Sequence, residues 1–312
     1  MKKKIISLLL MSSSHFYLSQ MTYAGGELIL GLPTIKLSAS SSTDESFGIA
    51  TTASQGTISQ EQIQTRPLSR PGEVLETIPG VIVTQHSGTG KANQFFLRGF
   101  NLDHGTDFAT SFDEIPINMV SHAHGQGYTD LNFLIPELIE TIQYHKGATS
   151  IDDGDFASAG TAKISSIHSL DRPYVQMTLG KNDLLRVLGV GNLQLQNGEI
   201  IAAIENLNND GPWINPENLS KQNVFLKYFS GDHSKNKSIA FQHYQSKWDA
   251  TDQIPERLID SGDIDRFGSL NTSDGGKSSR TALWYNSKNH DEKIFSELSS
   301  YAVYNKLNLF SD

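Results

Sequence analysis

Four histidines fall between positions 86 and 124: His86, His104, His122 and His124. Neutral imidazole is a favoured ligand for zinc, copper and nickel, and the His122-Ala123-His124 spacing puts two rings on one side of an extended segment. Asp103 and Asp107 lie close enough in sequence to complete or orient such a site. No spacing fixes four ligands, so the same histidines also suit polar loops that hydrogen-bond an organic metal chelate. A second candidate is the acidic stretch holding Asp249, Asp252, Glu256, Asp260, Asp263 and Asp265, flanked by Trp248 and Phe267. Its carboxylates could attract a cation or a basic ligand, and a solvated outer loop has the same composition.

Residues for catalysis are sparse, and the expected product is not an enzyme. Gly88-Thr89-Gly90-Lys91 is a fragment of a phosphate loop without the upstream glycine spacing. Asp152 and Asp153 are adjacent in a turn beside Gly154, where they face opposite ways and cannot share a proton as an acid-base pair. The absence of cysteine removes disulfides, thiolate metal sites and thiol nucleophiles together. No resident cofactor is expected, and any bound metal would be cargo, as an iron chelate or zinc. The balance of 25 basic against 34 acidic residues gives a net charge of −9, with no basic cluster beyond Lys2 to Lys4, so nucleic-acid binding is not expected.

The elements that must position these residues divide the chain into four spans. Lys2, Lys3 and Lys4 precede a short apolar run from Ile5 to Met11 and a polar stretch ending Thr22-Tyr23-Ala24, the layout of a signal peptide over residues 1–24. That run is far shorter than the roughly 20 residues a spanning helix needs. Residues 25–56 hold a short apolar-polar alternation at Leu32-Pro33-Thr34-Ile35-Lys36-Leu37, then a small, polar stretch that reads as a flexible linker. An extended tethered segment of this kind can add itself as a strand to a partner's sheet edge. Residues 57–168 mix short strands at 80–84, 95–97 and 162–167 with helices expected at 72–78 and 136–141, which predicts an α+β domain. Residues 169–312 change to alternating segments at 174–179, 199–206, 222–230, 238–246, 280–288 and 294–304, with turn signals at Asn197-Gly198 and Gly231-Asp232. A signal peptide followed by antiparallel strands, with no spanning helix, predicts transmembrane barrel strands. A soluble periplasmic sandwich is the alternative. On the barrel reading Trp213, Trp248 and Trp284 are candidates for the aromatic girdles at headgroup depth.

Arg70-Pro71-Gly72-Glu73-Val74-Leu75-Glu76-Thr77-Ile78-Pro79-Gly80-Val81, followed by Phe96-Leu97-Arg98-Gly99-Phe100, resembles the plug domain of TonB-dependent outer-membrane receptors. Asp113-Glu114-Ile115-Pro116-Ile117 and Leu138-Ile139-Glu140-Thr141-Ile142-Gln143-Tyr144 continue the likeness, and Leu32 to Leu37 sits where that family has its TonB box. His145-Lys146-Gly147-Ala148 departs from the family's arginine-glycine-proline, and Lys146 keeps the charge without the planar fork. The resemblance implies an α+β plug domain followed by antiparallel transmembrane β-barrel strands, incomplete against an expected 22-stranded barrel. It implies that Pro33, Thr34, Ile35, Lys36 and Leu37 bind TonB, which couples to an inner-membrane energising complex. It also implies that Arg98 and Gly99 form a latch in which Arg98 pairs with barrel carboxylates, against the plainer alternative of a solvated arginine.

From Asp171 onward the chain supplies only about six to eight strands, at roughly 20 residues per strand and connection. A closed barrel of about eight strands has an interior just wide enough for side chains and cannot hold a plug of some 110 residues. The expectation is therefore the N-terminal portion of a receptor that imports a metal chelate such as a ferric siderophore, whether part of a longer chain or a split gene product. Its partners would be TonB, the chelate and outer-membrane lipid, and its location the cell outer membrane. The alternatives are a zinc or other divalent-metal receptor using the plug histidines, and a plug-only fragment that binds TonB in the periplasm if 312 residues are the complete product.

Overall fold

A computed structural model describes residues 22–24, 27–29 and 49–310, apart from 69, 86–88, 123–124, 149, 233, 251–252 and 291–294. The segment Pro33 to Leu37, His86 and His124 lie outside the described residues. A small antiparallel pair, β1 (Thr22–Ala24) and β2 (Glu27–Ile29), straddles the expected cleavage point at Ala24.

The first domain is built on a six-stranded sheet in the order β3-β4-β10-β11-β8-β9. Its strands are β3 (Ile49–Thr52), β4 (Gln55–Ser59), β8 (Phe108–Phe112), β9 (Ile115–Pro116), β10 (Ile139–Lys146) and β11 (Gly160–Ser166). Strands β3 and β4 reach into the span read as linker: an edge hairpin uses backbone hydrogen bonds, so small polar side chains suffice. After β4 the Ser59 hydroxyl accepts from the Gln62 amide while the Gln62 side chain accepts from the Ser59 amide, a capping box that starts α1 (Gln60–Gln64). A three-stranded sheet, β5 (Val81–Thr84), β6 (Gln94–Leu97) and β7 (Phe100–Asn101), lies beside it. The expected helix at 72–78 is a 3-10 helix over Pro71–Thr77. That expected at 136–141 is a single 3-10 turn, Pro136–Leu138, because β10 already begins at Ile139 and pairs with β11. Val74, Leu75, Ile78, Leu102, Leu134, Ile139 and Ile142 are fully buried and form the domain's core.

The second part is a seven-stranded antiparallel meander in chain order: β12 (Tyr174–Leu179), β13 (Leu185–Leu195), β14 (Gly198–Asn209), β15 (Leu219–Gly231), β16 (Lys235–Asp249), β17 (Gly275–His290) and β18 (Phe295–Phe310). A short helix, α2 (Glu256–Asp260), lies in the acidic connection between β16 and β17. The strand count agrees with the length argument, and the turns fall at the two glycine signals, closed by the Leu195–Gly198 and Gly231–Asn236 pairs. Strand β13 is additional to the expected segments. Its Gly189 and Gly191 blank two positions that would have carried the alternation.

Burial in this meander alternates with the opposite sense to a soluble sheet. On β15, Lys221, Asn223 and Lys227 are buried while Val224 and Leu226 are exposed; on β16, Gln242 and Ser246 are buried while Ile239 and Phe241 are exposed. Strand β17 buries Ser278 and Arg280 and exposes Leu283. Apolar-out, polar-in strands are the pattern of a transmembrane barrel wall, because lipid replaces water as the outer solvent. Among the described residues no helix is long and apolar enough to cross a membrane, which says nothing of spanning strands. Connections alternate in length: 180–184, 210–218 and 250–274 at one end, 196–197, 232–234 and 291–294 at the other. Short turns mark the periplasmic side of such barrels, and longer loops the outside.

Candidate functional site

The first domain docks on the polar inner face of the meander through two buried charge clusters. In the first, Asp113 sits in the two-residue turn between β8 and β9, where Asp113 and Glu114 both have positive φ, as a type I′ hairpin turn requires. Asp113 Oδ1 accepts from the Ser166 amide at 2.8 Å and Oδ2 from the Ser166 hydroxyl at 2.6 Å, with Lys227 Nζ of β15 at 3.3 Å. Burial alone would raise the Asp113 carboxyl, but Lys227 and the two Ser166 hydrogen bonds outweigh it and hold the group below its ordinary value. Asn286 of β17 donates to the Asp113 carbonyl at 2.8 Å. In the second cluster Arg186 of β13 grips Glu137 with both terminal nitrogens, at 2.5 and 2.8 Å. Its Nε donates to Glu205 at 2.7 Å, and Lys221 closes the chain to Glu205 at 2.9 Å. Between the clusters Phe112 packs edge-on against Phe133, Phe225 and Trp284, with centroids 5.8, 6.3 and 6.1 Å apart.

A cavity of about 290 Å³ opens between the domain and the long-connection end of β16 to β18. The domain contributes Ile117, Met119, Ser121, His122, Tyr128, Asp130 and Phe133; the wall contributes Tyr244, Arg280, the serines 278 and 279, and 305–307 of β18. The loop over it is held by Asn118, whose Oδ1 accepts from the Thr110 amide at 2.7 Å and whose Nδ2 donates to the Gly105 and Gly127 carbonyls. Arg280 lies with its guanidinium carbon 4.1 Å from the Phe133 ring centroid and donates through Nη1 to Gln242 at 3.2 Å. Asp130 accepts from the Asn132 amide at 2.9 Å, and burial holds its carboxyl above the usual range. Burial also pushes Tyr128 up, and the His122 imidazole down.

Of the residues singled out from sequence, His104 and His122 come together, both against Tyr128, with centroids 5.6 and 4.0 Å away. His104 is buried and its Nδ1 donates to the Asn93 carbonyl at 2.9 Å. Among the described residues no group of three metal-ligating side chains assembles. Arg98 and Gly99 form the turn between β6 and β7, both with positive φ, closed by the Leu97–Phe100 pair. The Arg98 guanidinium reaches the Ala53 carbonyl at 3.4 Å and the Ser54 hydroxyl at 3.2 Å, within its own domain, and ion-pairs with no carboxylate among the described residues. The ion pairs to the wall run instead through Glu137 and Asp113. Lys146, the departure from the arginine of the family pattern, donates to the Pro79 carbonyl at 2.9 Å. Burial and the Arg98 charge push its ammonium below the ordinary lysine value.

Two tryptophans correct the girdle expectation. Trp284 and Trp248 are buried on the inner face, the latter against Gly90 and Gly276, so neither lies at a lipid interface. Their strand positions share parity with Ala282 and Ser246, which point inward. Asp130 and Arg280 were not singled out from sequence; the available signal was an arginine at an inward position of a barrel-type strand.

Residues 49–161 match the family model of the TonB-dependent Receptor Plug Domain. Residues 49–161 are therefore a plug domain of that kind, and an antiparallel meander follows it. It is similar to the ferric yersiniabactin uptake receptor FyuA from Yersinia pestis, with 15% identity and a TM-score of 0.63 over 82% of this chain and 41% of that one. The ferric citrate transporter FecA gives 15% and 0.63, over 83% and 40%. The copper transporter OprC gives 14% and 0.59, over 83% and 38%. At these identities the likeness is one of fold, and the chain spans about two fifths of the length of these structures.

Proposed function

We propose that this chain provides the plug and first barrel strands of a TonB-dependent outer-membrane receptor for active import of a metal chelate such as a ferric siderophore. The observation that carries this reading is the plug seated by buried ion pairs on the polar face of a sheet whose other face is apolar. Such a wall belongs in a bilayer, and a plug in its lumen blocks the pore until it is moved. The solved structures of similar fold include receptors named for siderophore and citrate uptake, which supports a chelate as cargo. Pro33, Thr34, Ile35, Lys36 and Leu37 are the proposed TonB-binding strand, gripped by addition to a sheet edge of TonB. The described histidines assemble no metal set, so a bare divalent ion gains no support from them.

The test is deletion of residues 33–37 from the complete gene in cells that depend on this receptor. Uptake of labelled ferric chelate should fall to background while the protein remains in the outer membrane. Uptake at the wild-type rate would overturn the energy-coupling assignment.

A further inference from the structure

We infer that the outward face of the wall, at its long-connection end, binds a phosphate-bearing lipid of the outer leaflet through Lys247, Lys277 and Lys306. This inference rests on the outer-membrane reading and assigns the lipid partner a named surface.

Successive side chains on a strand take opposite faces, so Lys247 of β16, between the inward Ser246 and Trp248, points outward. Lys277 of β17, between the inward Gly276 and Ser278, pairs directly with Lys247. Lys306 of β18 stands opposite Ser279 on the same outward face, diagonal to Lys277, whose own partner is Asn308. Directly opposed side chains lie about 5 Å apart at Cβ and diagonal ones about 7–8 Å, and like charges so placed repel. All three lysines are exposed, and among the described residues none makes an ion pair. Asp249, two residues beyond Lys247 on that face, accepts instead from Asn218 Nδ2 at 2.8 Å. An anion seated among the three ammonium groups turns their repulsion into attraction.

Depth identifies the anion as lipid-borne. Leu226, Phe241 and Leu283 form one mid-strand row of the outward apolar face, and Lys247 and Lys277 lie six residues from it toward the long connections. Six residues are about 20 Å of strand, or about 15 Å along the membrane normal at the usual tilt, and the apolar band of such a wall is about 25 Å tall. The lysines therefore stand just beyond the hydrocarbon edge, at the level of headgroup phosphates. Tyr304 on the apolar side of them and Phe310 on the other are exposed on the same face, as aromatic contacts at that level are. Lysine is a point-charge phosphate binder without the planar fork that suits a carboxylate. Two strand spacings, about 10 Å, separate Lys247 from Lys306, a spread that fits a headgroup carrying two phosphates.

The experiment uses the full-length receptor, delipidated in detergent, and native mass spectrometry with diphosphoryl lipid A, monophosphoryl lipid A, phosphatidylcholine and inorganic phosphate as probes. The wild-type protein should retain diphosphoryl lipid A most tightly, the monophosphoryl form less, and phosphatidylcholine least. The double variant Lys247→Gln/Lys277→Gln should weaken diphosphoryl lipid A about tenfold or more, and Lys306→Gln several-fold, whereas Lys247→Arg/Lys277→Arg should keep the affinity because the charges remain. Lys237→Gln, an exposed outward position at the short-turn end, should change nothing. A wild-type receptor without preference for lipid A over phosphatidylcholine, or a double Gln variant of unchanged affinity, would overturn the inference. So would a Lys237→Gln protein as weak as the double variant, or displacement of lipid A by inorganic phosphate, which would make the site one for the free ion. Energy coupling is read separately: uptake that survives deletion of 33–37 would sink the import reading while leaving these affinities in place.

Discussion

Asp113 shows how one side chain joins two domains. It terminates a hairpin, accepts from Ser166 within the plug and meets Lys227 of the wall, and both charged groups are almost fully buried. Removing one partner strands the other charge, so Lys227→Met should cost about 3–5 kcal/mol, read as a lower guanidinium chloride midpoint. The folded carboxyl of Asp113 is depressed. Its contribution is therefore present above the ordinary aspartate value of 3.8 and is lost as pH falls through the folded value. Asp130 has the opposite sign. Its folded value is raised, so stability declines as pH climbs past 3.8 and the buried group must ionise. Asp130→Asn should raise the thermal midpoint by a few degrees near neutral pH and leave it unchanged in strong acid; an unchanged midpoint at both would show that Asp130 ionises at no cost. Neither arrangement is legible in sequence, because Asp113 and Lys227 pair, and Asp130 and Arg280 come to line one cavity, only after two domains dock. The Arg98-Gly99 pair was legible as a motif. Its local task proved to be a tight turn with two positive φ values, which a spacing argument does not reveal.

At the level of strands, the inverted alternation sets which substitutions the wall tolerates. Leu226 faces outward near the middle of β15, and Leu226→Arg should cost about 2–4 kcal/mol of stability in lipid vesicles, far more than the same change in an outer loop. A second element-scale expectation concerns the outer end, where a Cβ on Gly90 would lie 1.9 Å from Trp248 Cε3. Gly90→Ala must displace the indole, so Trp248 emission should shift to longer wavelength; an unshifted spectrum would mean the 89–90 turn moves instead. Period-two patterning located six of the seven meander strands, since a strand whose faces meet different solvents writes that difference into its residues. It missed β13, where glycines erase the pattern, and it could not tell which face was inward. Trp248 and Trp284 were consequently assigned to lipid when they pack on the plug. The expected 136–141 helix is a single turn for a related reason: Ile139 already opens β10, and so short an apolar run is ambiguous between the two periods.

For the molecule as a whole, the described strands form an open sheet whose outer edges are β12 and β18. An unpaired edge in hydrocarbon leaves backbone groups unsatisfied, so on the proposed reading the β12 and β18 edges must be paired for the wall to sit in a bilayer. Deleting residues 33–37 belongs at this scale, because it should leave every described contact intact and abolish only the coupling between membranes. The domain order and strand count were legible from composition and length, since they follow from bulk quantities. The cavity was not, because it exists only between the two parts.

The position of β11 also governs assembly. It is the last plug strand to be synthesised, yet it lies inside the sheet, antiparallel to β10 on one side and parallel to β8 on the other. The group β3-β4-β10 and the hairpin β8-β9 can each zip up early, but they stay two halves until Gly160–Ser166 arrives between them. That parallel pairing spans a long stretch of chain, and such non-local closure is slow. Because Ser166 ends β11 and binds both Asp113 and Lys227, completing the plug and mooring it to the wall become a single late event.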